Sequence, residues 1–303
     1  MLTNILSSKK NIQMRIALFL LVILVFLVAI DAKKKAKVEK KRGTLSISIS
    51  TCNDLFSLTS SYTQVTVAND IDCGGNSPSG TLNLEGAYFD GQGYKIYNYG
   101  GNGGGLFKKV VDTTFVNFTI ADFSVSGTTV MTGGLVAHAV GSSFQYISID
   151  SVNGNGNTVS GHEKTGGLVG VAYNSNFLQV RIRNTFVTGL KSVGGLAGAQ
   201  VGTGTVVGCV NYGYQYTSQT PEQLTIVNGT TNVGGLVGYA EGDTSKSGVE
   251  TGIVKGVNRV GAVFGDAVDF SIDQVWVENK VTVIANGEDT TAGGLIGRYG
   301  LDW

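Results

Sequence analysis

The sequence predicts an all-β fold, a parallel β-helix or β-solenoid of about seven coils, preceded by an N-terminal hydrophobic helix. Three observations predict it. Gly-Gly-Leu recurs along the chain, large apolar residues keep fixed offsets behind it, and 45 glycines stand beside only 2 prolines in 303 residues. Many glycines among Val, Ile, Thr, Phe and Tyr read as short strands joined by tight turns. Glycine does not fall at every third position, which excludes collagen. A hydrophobic content of 42% and a mean hydropathy of +0.14 exclude a disordered tail.

The repeat anchors are Leu106, Leu135, Leu168, Leu196, Leu236, Val263 and Leu295. Six follow Gly-Gly; Val263 follows the degenerate Gly261-Ala262. Phe115, Phe144, Phe177 and Ile272 stand nine residues after an anchor. Phe118, Ile147, Val180 and Val275 stand twelve after, and Ile120, Ile149, Ile182 and Val277 fourteen after. Alternate residues of a strand share a face, so the last two sets mark one inward face. A unit of about 30 residues with two or three short strands cannot bury that face alone; stacked units can. The glycine pairs are expected at sharp corners, where positive φ is needed and a Cβ would clash. The 40-residue spacing before Leu236 places a bulging loop in 212–222. Cys209 falls at a strand position matching Val180 and reads as a core thiol.

The leader precedes this array. Residues 1–32 read as a signal peptide or a signal anchor, 33–43 as a basic linker, 44–103 as an N-terminal cap and first coil, and 104–303 as the repeat solenoid. Ile16 to Ile30 is an uncharged apolar run, shorter than the about 20 residues a spanning helix wants. Lys9, Lys10 and Arg15 precede it and seven basic residues follow, so both cleavage and retention as a membrane anchor stay open. Lys41-Arg42 reads as a solvated linker or a dibasic processing site.

Net charge is zero but uneven. Ten Lys and Arg against two Asp and Glu lie at or before Arg42, a net of +8; the remainder has twelve against twenty, a net of −8. An acidic body lacks the basic face that nucleic acid requires. Cys52 and Cys73 are the close cysteine pair and are expected to form a disulfide. Asn117-Phe118-Thr119 and Asn228-Gly229-Thr230 are glycosylation sequons. Both features point to a secreted or cell-surface body.

Val233 to Gly238, Gly166 to Gly170 and Gly194 to Gly198 resemble the GLUG motif of secreted and surface proteins with filamentous-haemagglutinin-like β-helical regions. The segments Asn69 to Cys73 and Phe89 to Ile96, before Gly105-Leu106-Phe107, resemble the opening of such arrays. The resemblance covers most of 52–300 and implies a stalk or adhesive module. Two copies depart from it: Ala262 replaces a glycine, and Phe107-Lys108 lacks the closing glycine.

The expected function is a non-enzymatic extracellular or cell-surface β-solenoid for adhesion, coat or stalk roles, binding polysaccharide or a cell-surface protein. Tyr94, Tyr97, Tyr99, Tyr212, Tyr214 and Tyr216 are the candidate ligand contacts. End-to-end self-association at the C-terminal edge is a further expectation. The alternative is a polysaccharide-active β-helical enzyme, lyase or hydrolase. Asp90-Gly91-Gln92-Gly93 resembles a polygalacturonase segment, but that family's Asn-Thr-Asp, Asp-Asp and Gly-His-Gly motifs are missing. Glycoside hydrolysis wants two carboxylates held together; Asp70, Asp72 and Asp90 read first as turn or cap residues. His138 and His162 lack the clustered His or Cys of a zinc site, so no metal or cofactor is expected. An ice-binding face would want a regular Thr-x-Thr ladder, which the threonines do not keep.

Overall fold

Apolar residues at fixed offsets need a neighbour one coil away, and the pairing supplies it. The computed structural model describes residues 44–101, 103–128, 130–211, 225–287 and 291–300. From Leu45 onward they belong to one unit, a parallel β-solenoid of about seven turns. The expected hydrophobic helix lies outside the described residues; the helix that is described is the short α1, Cys52–Phe56. The middle coils carry four or five short strands rather than two or three, as in 169–173, 176–178, 181–182, 185–188 and 191–194, while the coils that begin at Val237 and Phe264 each carry three, two of them long.

Inward ladders fill the core, and three of them show the register. Phe89, Phe115, Phe144, Phe177 and Val206 stack in successive coils. The rings of Phe115 and Phe144 lie 5.4 Å apart, and those of Phe144 and Phe177 5.2 Å apart, both stacked. Ile71, Ile96, Ile120, Ile149, Ile182, Asn211, Val249 and Val277 make the second ladder. Val125, Val159, Val187, Val227, Val254 and Val283 make the third. Ile272 keeps its place in register with Thr244 but is exposed. The next described strand, Ile296–Tyr299, covers only Phe264 to Ala267.

The anchors form a hydrogen-bonded column. Leu135 N–H donates to Leu168 O, Leu168 to Leu196, Leu196 to Leu236, Leu236 to Val263, and Val263 to Leu295. Positive φ does not explain the glycine pairs beside them. Of these glycines only Gly104 has it. Close approach explains them: a Cβ on Gly166 would lie 2.1 Å from Val169 O, where the chain doubles back. A Cβ on Gly167 would lie 2.1 Å from Gly195 O of the next coil. The closing glycine packs differently, on backbone of the strands 131–133 to 292–293, as Gly170 does on Thr132 N. That sheet begins at Met131, so Lys108 can replace the glycine and stay exposed.

The sharp corners lie elsewhere, largely on polar residues. Asn117, Tyr146, Gln179, Gly208, Lys246 and Gln274 all have positive φ at one corner. Asn and Gly tolerate that region best. The extra residues of the long repeat fall between Asn211 and Thr225, outside the described residues.

Candidate functional site

The ends and corners of the coils account for the residues first suspected of chemistry. Cys52, in α1, is bonded to Cys73, which follows the strand Ile71–Asp72. Thr51 caps α1, accepting from Asp54 N, while the Asp54 carboxylate accepts from the N–H groups of Ser50 and Thr51. The Ser50 backbone bond leads the causes that lower the Asp54 pKa. Asp70 accepts from Lys95 N at 2.9 Å, Asp72 from Gly74 N at 2.8 Å, and Asp90 from Gln92 N at 2.9 Å. All three acids order backbone. Cys209 is buried and its thiol is pushed up to about 12 by burial, which leaves it no nucleophilic thiolate.

The tyrosines separate. Tyr94 is exposed and Tyr97 half-buried. Tyr99 is a correction: it is 1% exposed, stacks on Phe123 at 5.2 Å and donates its hydroxyl to Gly134 O, so it is a core residue closed to ligand. Burial raises its phenol pKa well above the ordinary value. Tyr212, Tyr214 and Tyr216 lie outside the described residues. Sequence reasoning missed the exposed Tyr88, Tyr146, Tyr173 and Phe186. Two of them were accessible by parity, since Tyr88 precedes inward Phe89 and Phe186 precedes inward Val187. Of the sequons, Asn117 is exposed at a left-handed corner and Asn228 is half-buried in a strand between Thr188 and Lys255.

Beside the inward phenylalanines runs an outward ladder: Thr114, Ser143, Asn176, Thr205, Asp243 and Ser271. Thr205 Oγ1 donates to Asn176 Oδ1 at 3.0 Å, and Ser271 to Asp243. This is a ladder of mixed hydroxyl, amide and carboxylate groups, so its repeat is not visible as Thr-x-Thr. One residue per coil places these groups about 4.8 Å apart.

Charged groups gather in three places. Asp150 pairs with Arg183 at 3.5 Å. Near them Glu250 has its pKa raised by burial and by Glu278, with Arg183 opposing. Asp266, 1% exposed, accepts from Arg298 Nη2 at 2.7 Å and from Arg259 Nη1 at 3.2 Å. His138, half-buried, is the register partner of Lys109. Burial lowers its pKa, and Lys109 and Lys164 lower it further. His162 is exposed at a corner. Among the described residues no group of three His, Cys, Asp or Glu is placed to hold a metal.

No protein-family model and no curated protein matches the chain, so the GLUG resemblance stands on the quoted residues alone. Among solved structures, a Bacteroides ovatus protein provisionally named an immunoglobulin A1 protease matches with a TM-score of 0.54 and 15% identity. The match covers 83% of this chain and 85% of that one. At that identity the likeness shows the β-solenoid fold.

Proposed function

We propose that the chain is a non-enzymatic extracellular or cell-surface β-solenoid of the GLUG-repeat kind, serving an adhesive, coat or stalk role by holding extended glycans. The outward polar ladder from Thr114 to Ser271 carries this reading. It offers one hydrogen-bonding side chain per coil along a straight line, which suits a linear ligand with repeated hydroxyls. The Cys52–Cys73 bridge supports an oxidising compartment outside the cytosol. Tyr88 and Tyr94 supply ring faces near the start of the array. A cell-surface protein is the other partner the reading allows. A second copy could pair with the strand Trp276–Ala285, whose one described partner is 248–256.

One observation favours the enzymatic alternative. Glu250 and Glu278 are neighbouring carboxylates, and the raised Glu250 pKa is what a general acid needs. The name of the Bacteroides ovatus protein adds proteolysis as a third reaction class.

The test incubates the purified protein with a panel of polysaccharides and with immunoglobulin A1, recording retained protein, released sugar ends and cut polypeptide. Retention without release is expected. Sugar release abolished by Glu250→Gln overturns the proposal in favour of a glycosidic-bond-cleaving enzyme, and cut immunoglobulin overturns it in favour of a protease.

A further inference from the structure

The body outside the leader carries a net charge of −8, with twelve Lys and Arg against twenty Asp and Glu. Against that background one stripe is basic. Lys109 and His138 are register partners on adjacent strands, and Lys164 opens the strand Lys164–Gly166 beside them. Both ammonium groups act on the His138 imidazole, so the three groups share one field. Lys109 is exposed, and His138 and Lys164 are half-buried. Two lysines held beside a histidine repel one another, an arrangement that a bound anion would relieve.

A second feature adjoins the stripe. Lys108, next in sequence to Lys109, rims a cleft of about 320 Å³ that Ser77, Ser79 and Thr81 line. The cleft places hydroxyls and a cation beside Leu82, Leu106 and Pro78, a mixed lining that a charged sugar can use.

We propose that Lys109, His138 and Lys164, with Lys108 at the cleft, bind an acidic polysaccharide bearing carboxylate or sulfate groups. The proposal rests on the glycan-holding reading above and names its substrate class. Lys109 and His138 sit one coil apart, about 4.8 Å along the axis. That rise is close to the length of one pyranose unit, so charges on successive sugars can meet successive coils.

The pH dependence follows from His138. The charged or titratable groups on the strands packed around it are Lys109 and Lys108 on 107–111, Lys164 on 164–166, and Tyr173 on 169–173. Burial first, and then the two lysines, hold the imidazole pKa down; an anion beside it acts the other way, so binding takes up a proton. Affinity therefore rises as pH falls from about 7 to about 5.

The experiment measures retention of the full chain on immobilised polygalacturonate, heparin and neutral dextran, at increasing salt. The expected result is salt-sensitive retention on the acidic polymers. Lys109→Glu with Lys164→Glu should weaken it about tenfold or more, with an unchanged melting curve. His138→Gln should flatten the pH profile. Retention on dextran alone, or retention on acidic polymers that the double variant keeps, overturns this inference and leaves the glycan reading standing. No retention on any polymer of the panel overturns both. Equal, lysine-dependent retention on anionic lipid vesicles or DNA overturns the assignment to glycan.

Discussion

Gly166 and Gly167 occupy their places because two carbonyl oxygens already fill the space where side chains would go. The Gly167 Cβ would sit 2.1 Å from Gly195 O, and both partners are backbone in a stacked column. Nothing flexible can move aside, so Gly167→Ala should cost about 3 kcal/mol or more. At Gly294, by contrast, a Cβ meets nothing within 4 Å. Gly294→Ala should leave the urea midpoint near that of the parent. Equal effects at the two sites would remove close approach as the reason for the glycines. The sequence marked these positions as special on two grounds, positive φ and a clashing Cβ; the clash holds and the positive φ does not. Position counting shows where glycine recurs, whereas the oxygen that excludes a Cβ belongs to a residue 28 positions away. Tyr99 was misread for a related reason. Its phenol reaches Gly134 O in the next coil, a partner that no local pattern announces.

At the scale of the strand, ladders were the legible feature. The offsets of nine, twelve and fourteen residues placed Phe115, Phe144 and Phe177 in one column, which the pairing reproduces. The rule loses residues where a corner changes length. The column continues through Val206 and Thr244, which stand ten and eight residues after their anchors. Asn211 breaks the isoleucine column: its Nδ2 donates to Gly235 O at 2.6 Å, and its Oδ1 has no hydrogen-bond partner among the described residues. It directly precedes the inserted segment. Phe144 is the member with a stacked ring on both sides. Phe144→Ala would open a cavity between two coils that the backbone ladders hold apart, so relaxation is poor. A loss of about 4 kcal/mol is expected. A denaturation curve within 1 kcal/mol of the parent, by the order-of-magnitude scale of such losses, would show that the column is not a stability element.

For the whole molecule, the architecture was legible because a solenoid writes its period into the chain, while the ligand face was not. Outward residues are free to vary in identity, and the Lys109–His138–Lys164 stripe joins residues up to 55 positions apart through coil stacking. Stability at this scale depends on the ends, since each coil touches only its neighbours and unfolding starts where a coil lacks one. At the N-terminal end, α1 buries Leu55 while strands 46–49 and 64–67 bury Ile49 and Val65. The bridge ties α1 to Cys73 in the coil beneath, across a separation of 21 residues. By loop-closure entropy it contributes about 3 kcal/mol. Reduction should therefore lower the urea midpoint and broaden the transition, as the cap detaches before the array. Cys52→Ser with Cys73→Ser should reproduce that curve without reductant. Cys209 stays buried in the coils, so the unreduced, denatured chain should titrate a single thiol. Three thiols in that titration would mean that the bridge does not form, and an unchanged midpoint on reduction would mean that packing alone holds the cap.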